Sequence, residues 1–383
     1  MDKRSIKTLE FDKIIERLTA RAISPAGKAM CAALLPMQDF DGIARALEET
    51  TQALEFSMKA GHIPLGGIKD IAPSLKRAEI GGILSVEELF NIGEFIYVCK
   101  KVLTYAKSVE RRERLGILDE KFEEIILPTV LEREIGRCIQ TSTEVADEAS
   151  AELSAIRRNI KITNNRVHDA LNSVIQSSAY KNMLQDAVIT MRGGRHCVPI
   201  KQEYKGNFPG VVHDASGSGA TVFMEPLSVV ALNNKVKELQ AEEKEEIQHI
   251  LGVLSQSVAI DAKLLATNAT VLTELDFIFA KSALALDMNA IRPEFNDHGH
   301  VHIKKGRHPL LNVEKIVPTD IWLGDEFSAL LITGPNTGGK TVALKTLGLS
   351  SSWAWRGFLC PPHQALCCQF LTMFLQISAT NSP

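Results

Sequence analysis

The sequence predicts a multidomain, mainly α protein with a small β clamp and a partial α/β domain built around a phosphate loop (P-loop). Three observations carry that prediction. Two stretches, 142–180 and 227–290, repeat apolar residues at helical spacing, and neither contains a proline. Between them, residues 183–225 break into short β-type runs separated by glycine and serine. Further on, the mostly apolar run Phe327–Ile332 leads into Gly334-Pro-Asn-Thr-Gly-Gly-Lys-Thr341.

Taken in order, residues 1–141 read as a helical core. Leu9, Ile14, Ile15 and Leu18 share one helical face, Ser24-Pro25 starts a second helix, and Asp41–Lys59 forms a third. Ser85-Val-Glu-Glu88 is a capping box for a helix carrying Leu89, Ile92, Ile96, Cys99 and Leu103. Residues 142–182 form a first arm helix, with Val145, Ala149, Leu153, Ile156, Ile160, Val167, Leu171 and Val174 at spacings of three, four and seven. Residues 183–226 form the β clamp, from Ala187-Val-Ile-Thr-Met-Arg to Ala220-Thr-Val-Phe-Met. Residues 227–292 return as second arm helices, bracketed by Pro226 and Pro293. Residues 293–349 begin the α/β domain with Val301-His-Ile and the Arg307-His-Pro turn. Residues 350–383 hold two of the three tryptophans and three of the seven cysteines, and read as an aberrant tail, truncated or frame-shifted.

Gly334, Gly339, Lys340 and Thr341 fit the spacing of a phosphate-binding loop. Glycines let the backbone turn its N–H groups inward onto phosphate, and the helix that follows adds its positive end. Lys340 would neutralise the outer phosphates, and the Thr341 hydroxyl would ligate Mg²⁺. Hydrolysis also needs a carboxylate on a second strand and a group that positions water. The last acidic residues are Asp325 and Glu326, ahead of the loop. No catalytic residue is therefore assigned, and an ATPase built from these residues alone is expected to be incomplete, lacking the Walker B carboxylate and impaired in hydrolysis.

The composition is that of an ordinary globular chain. A net charge of −3 over 383 residues gives no global signature of nucleic-acid binding, so such binding would need a local patch. Seven cysteines without paired spacing point to a reducing, cytoplasmic setting, and no metal site is read from them. No run reads as membrane-spanning.

The strings Thr333-Gly-Pro-Asn-Thr-Gly-Gly-Lys-Thr-Val, Gly306-Arg-His-Pro-Leu-Leu, Val212-His-Asp-Ala-Ser-Gly-Ser-Gly-Ala-Thr-Val-Phe-Met-Glu-Pro and Leu232-Asn-Asn-Lys-Val-Lys-Glu-Leu resemble the MutS family of DNA-binding ATPases. They are most similar to its type-two branch, and the resemblance covers roughly residues 1–349. It implies ATP and Mg²⁺ as cofactors. Gly334, Pro335, Asn336, Thr337, Gly338, Gly339, Lys340 and Thr341 would hold phosphate and metal, with Asn336 near the γ-phosphate and Ile316 against the adenine. It also implies a homodimer whose ATPase sites are completed by the partner subunit, and a clamp that closes on nucleic acid. Type-two members engage branched or mismatched DNA, restrain homologous recombination, split collided ribosomes through contacts with rRNA, and end in an endonuclease domain. The family pattern stops near residue 349, which leaves hydrolysis, dimerisation and nuclease activity open. A non-catalytic core-and-clamp binding fragment is the alternative.

Candidate phosphate contacts are Arg157 and Arg158, with Lys161 and Arg166, on the first arm, and Arg192, Arg195, Lys201 and Lys205 in the clamp. Asp186, Glu203, Asp214 and Glu225 nearly cancel the clamp cations, so an asymmetry between faces would have to do the work. His213-Asp214 is expected to make a turn hydrogen bond, and Arg307-His308 to brace the α/β fold.

Overall fold

The computed structural model describes residues 9–35, 37, 39–109, 116–296, 301–311, 317–324, 327, 329–333, 339–354, 356–359 and 365–369. The chain divides into two compact units. One comprises residues 1–75, 92–129 and 261–383, and the other residues 76–91 and 130–260. The protein is mainly helical with a small β part.

In the first unit, α1 (Phe11–Arg21) buries Phe11, Ile14 and Leu18, the face read from the sequence. Ser24 caps α2 (Pro25–Ala32) by accepting the Gly27 N–H at 2.9 Å. The cap is itself held by Asp276, which accepts from Ile23 N, Ser24 N and Ser24 Oγ at 2.9, 2.7 and 2.6 Å. Gly27 has to be glycine there, because a Cβ would stand 2.1 Å from Asp276 Oδ2. Asp39 caps α3 (Phe40–Ala60), whose Phe56 lies amid Tyr105, Phe122 and Phe279. Residues 76–91, which hold the end of α4 (Ala72–Glu79) and the start of α5 (Val86–Ser108), belong to the second unit. There α5 starts on the expected capping box: Ser85 N donates to Glu88 Oε2, and Glu88 N to Ser85 Oγ. A short α6 (Ile117–Glu123) supplies Phe122.

In the second unit, α7 (Thr129–Cys138) is followed by a break before α8 (Ala151–Gln176). The first arm helix was expected to begin at residue 142. Instead Ile139 and Val145 form a β-bridge, residues 147–149 make a 3₁₀ turn, and Ser150 caps α8 by accepting the Leu153 N–H. Arg137 donates to the carbonyls of Glu148 and Ala149 and so fixes the break. A serine with a free extended backbone competes with helix here and wins. Four strands follow: β1 (Thr190–Arg192), β2 (Arg195–Lys201), β3 (Gly210–Ala215) and β4 (Thr221–Pro226). They pair antiparallel in the order β1-β2-β4-β3, with a bulge at His213. Pro226 ends β4 and Leu227 starts α9 (Leu227–Asp287) with no loop between. Val198, Ile200, Val222 and Met224 of the sheet share one core with Val167, Leu171 and Val174 of α8 and Val229 and Val236 of α9.

By length and composition α9 could cross a membrane, although the sequence reading found no such run. Its most apolar window is 39% buried, and Leu265, Leu272, Leu275 and Ile278 lie in the helical core.

Back in the first unit, β5 (Glu294–Asn296), β6 (Val301–Gly306), β7 (Thr319–Leu323) and β8 (Ala365–Gln369) form a sheet in the order β5-β8-β6-β7, with only the β5–β8 pair parallel. The helix α10 (Lys340–Ala354) packs Ala343 and Leu347 against Val301, Ile303 and Ile321. A parallel strand was expected at Phe327–Ile332; the described residues of that run are in no strand, and Leu331 is 86% exposed. A central parallel strand is defined by hydrogen bonds to neighbours on both sides, and no described strand pairs with these residues. Part of the tail read as aberrant is packed. Phe358 and Leu359 are buried, Leu359 beside Ile43 and Leu47, and Thr50 Oγ1 donates to the Gly357 carbonyl at 2.8 Å.

Candidate nucleotide and nucleic-acid sites

At the phosphate loop, Gly334, Pro335, Asn336, Thr337 and Gly338 lie outside the described residues, as does Ile316. The end of the motif is described. Gly339 has φ 82°, in the left-handed region that favours glycine, and its carbonyl accepts the Ala343 N–H at 2.9 Å. Lys340 and Thr341 therefore occupy the first turn of α10, where helix N–H groups are open to an anion. Five residues on, Lys345 Nζ pairs with Glu10 at 2.9 Å, and Lys13 pairs with the same carboxylate. Hydrogen bonds from Lys13 and Lys345 hold the Glu10 carboxyl at about 2.

The Arg307-His308-Pro309 turn, expected to brace the α/β fold, lies after β6. His308 is buried, Leu310 N donates to its Nδ1, and Arg17 donates to the Pro309 carbonyl. Burial pushes the His308 imidazole below its ordinary range.

The basic residues of the second unit separate into two groups. Arg195, expected at nucleic acid, instead donates to both oxygens of Glu225 at 2.9 and 3.0 Å, and its Nη2 reaches Asn234. Arg157 likewise faces inward, to Glu243 at 2.8 Å, to Asp147 and to the Val145 carbonyl. Both arginines balance carboxylates of their own chain, so withdrawing either would strand a partly desolvated charge. Arg158, Lys161, Arg166 and Lys205 are exposed and, among the described residues, form no ion pair. Lys201 donates to the Asn182 carbonyl at 3.1 Å, and Arg192 pairs with Asp214 at 3.2 Å while lying over the Phe223 ring.

Glu225 is the centre that the sequence reading missed. It is 1% exposed, yet it accepts from Arg195 on β2, from His213 Nε2 on β3 at 2.6 Å and from Asn233 Nδ2 on α9 at 2.7 Å. Burial alone would raise its carboxyl; the hydrogen bonds from Asn233, His213 and Arg195 outweigh that and hold it below the ordinary carboxylate range. His213 thus serves Glu225 rather than a turn with Asp214. His213, Glu225 and Asn233 stand in the family-like strings and Arg195 among the candidate cations, but nothing in the spacing announces that they meet.

The described residues thus hold a helical core, two helices joined through a four-stranded sheet, and Gly339-Lys-Thr341 at the head of a helix. No protein-family model matches the chain. Among curated proteins it is similar to Endonuclease MutS2 of Lachnoclostridium phytofermentans, 44% identical over 366 residues, which cover 94% of this chain and 46% of that protein. The Endonuclease MutS2 proteins of Ruminiclostridium cellulolyticum and Brevibacillus brevis are 43% and 40% identical over 363 and 364 residues, in each case 95% of this chain and 46% of the relative. The chain belongs to this MutS2 type, and it spans about half the length of the curated relatives it matches.

Proposed function

We propose that the chain binds ATP with Mg²⁺ through Gly334–Thr341, and that its β module and α8 engage nucleic acid through Arg192, Lys201, Lys205 and Arg158. The observation that carries this reading is the similarity to proteins named endonucleases across 94% of the chain, phosphate motif included. The left-handed Gly339, with Lys340 and Thr341 in the first turn of α10, supports the nucleotide half. The outward-facing cations support the other half, since sequence-independent affinity comes from neutralising phosphates. Branched or mismatched DNA is the first substrate class in this reading, and ribosomal RNA the second. Restraint of recombination, the splitting of stalled ribosomes, homodimerisation and a cytoplasmic location belong to the same proposal.

One observation favours a second, non-catalytic reading. No aspartate or glutamate follows Glu326, so the residues after the loop contain no carboxylate for Mg²⁺ or water. On that ground we expect binding without turnover from the purified chain. Equilibrium binding of a fluorescent ATP analogue, with and without Mg²⁺, tests the first half. Lys340→Ala should weaken binding roughly ten- to a hundred-fold, the loss of one charge-assisted contact. Steady-state phosphate release tests the second. Turnover abolished by Lys340→Ala would show that the carboxylate comes from elsewhere, and the binding-fragment reading would fall. Binding indifferent to Lys340→Ala would sink the nucleotide site.

A further inference from the structure

The β module has a face that its own core does not use. Val222 and Met224 of β4 point into the shared core, as do Val198 and Ile200 of β2. Strand alternation then places Thr221 and Phe223 of β4, and Pro199 and Lys201 of β2, on the opposite face, where Pro199 is buried and the other three are half-buried. Phe223 stands across from Pro199 on one side and Asp214 on the other, and Lys201 across from Thr221. Arg192 comes over this face from β1, its guanidinium carbon 4.1 Å from the centre of the Phe223 ring. Its Nε lies 3.2 Å from Asp214, and Nη1 donates to the Met191 carbonyl at 3.1 Å. The guanidinium is thus held over the ring by an anion and a main-chain acceptor, while 39% of the side chain stays exposed.

We propose that the Arg192–Phe223 pair is a stacking platform for an unpaired base, so that this face of the sheet takes single-stranded nucleic acid. Aromatic rings and guanidinium planes stack bases of any identity, because every base has a π-face. Asp214 orients the guanidinium without closing over it. Lys201 on the same face and the exposed Lys205 beyond the end of β2 are available to the backbone phosphates. An intact duplex keeps its bases stacked inside and gains nothing from such a platform. Single-stranded arms, whether DNA or RNA, present what it fits. This inference rests on the nucleic-acid half of the proposed function.

The test is fluorescence anisotropy of the full chain with labelled oligothymidylate, oligouridylate and a blunt duplex of equal length. Arg192→Lys keeps the charge and removes the plane. Phe223→Leu keeps an apolar side chain and removes the ring. Each variant should weaken single-strand binding about ten-fold and duplex binding much less, with the salt dependence unchanged. Loss on either strand in this pattern supports the platform, and the more tightly bound strand names the sugar. Equal losses on strand and duplex, or no loss on the strand, would overturn it. A wild-type chain that binds duplex but no single strand overturns the platform alone. One that binds neither overturns the nucleic-acid reading with it.

Discussion

Replacing Glu225 with alanine will destabilise the sheet and the adjoining turns of α9 by about 3–5 kcal/mol, the cost of leaving buried charge without its partner. The carboxylate is 1% exposed and gathers donors from three elements: Arg195 on β2, His213 on β3 and Asn233 on α9. Asn233 also donates to the His196 carbonyl at 3.2 Å, so the damage spreads to β2. Glu225→Gln keeps an oxygen acceptor and should cost clearly less. Because the chain holds two compact units, a single global unfolding midpoint is the wrong readout. Hydrogen exchange of amides in β2, β4 and the first turns of α9 reports the loss where it occurs. Protection in those segments equal to wild type would refute the prediction.

The pH dependence follows from the depressed carboxyl of Glu225. A group whose folded pKa lies below its unfolded value binds fewer protons when folded. Its stabilisation is therefore complete above the unfolded carboxylate range, and is lost as pH falls through the depressed folded value. Wild-type protection in β2 and β4 should decline on acidification. The Glu225→Ala variant, having lost the group, should decline less from its lower start.

The network also shows where sequence reading ran out. Helices were legible where the signal was local: Ser24-Pro25, the Ser85–Glu88 box and a proline-free stretch after Pro226 each predicted an element that is present. The sheet was legible from its β-branched runs and glycine turns. The start of α8 was not, because Val145 and Ala149 continue the helical spacing across a segment that Ser150 and an Ile139–Val145 bridge take out of the helix. The strand expected at Phe327–Ile332 has no counterpart among the described residues for a related reason: a buried run becomes a strand only through neighbours, which its own residues do not name. The roles of the cations depended on still longer separations. Arg195 meets a carboxylate 30 residues away and Arg157 one 86 residues away, so both looked like members of a basic patch. Arg192 and Phe223, on strands β1 and β4, lie 31 residues apart in sequence, and no periodicity would have joined them.

Phe56→Ala should cost the first unit about 3–5 kcal/mol, as large-to-small changes of buried aromatics do. Phe56 is 1% exposed and its ring lies 5.9 Å from Tyr105, 5.4 Å from Phe122 and 6.4 Å from Phe279. Those four rings come from α3, α5, α6 and α9, so one side chain joins four helices, and the Phe122 and Phe279 contacts have the edge-on geometry that aromatic pairs favour. Removing it takes away the shared surface of all three neighbours at once. The site has little freedom to collapse, because Tyr105 is tied down by its hydroxyl, which donates to the Gly61 carbonyl at 2.8 Å. Burial lifts that phenol to about 12, so it stays a donor across the whole neutral range. Phe56→Leu, which refills part of the volume, should recover about half of the loss. Hydrogen exchange in α3 and α6 measures both variants. If Phe56→Ala leaves α6 as protected as in the wild type, the cluster is not what anchors that helix, and the ring contacts are incidental to the stability of the core.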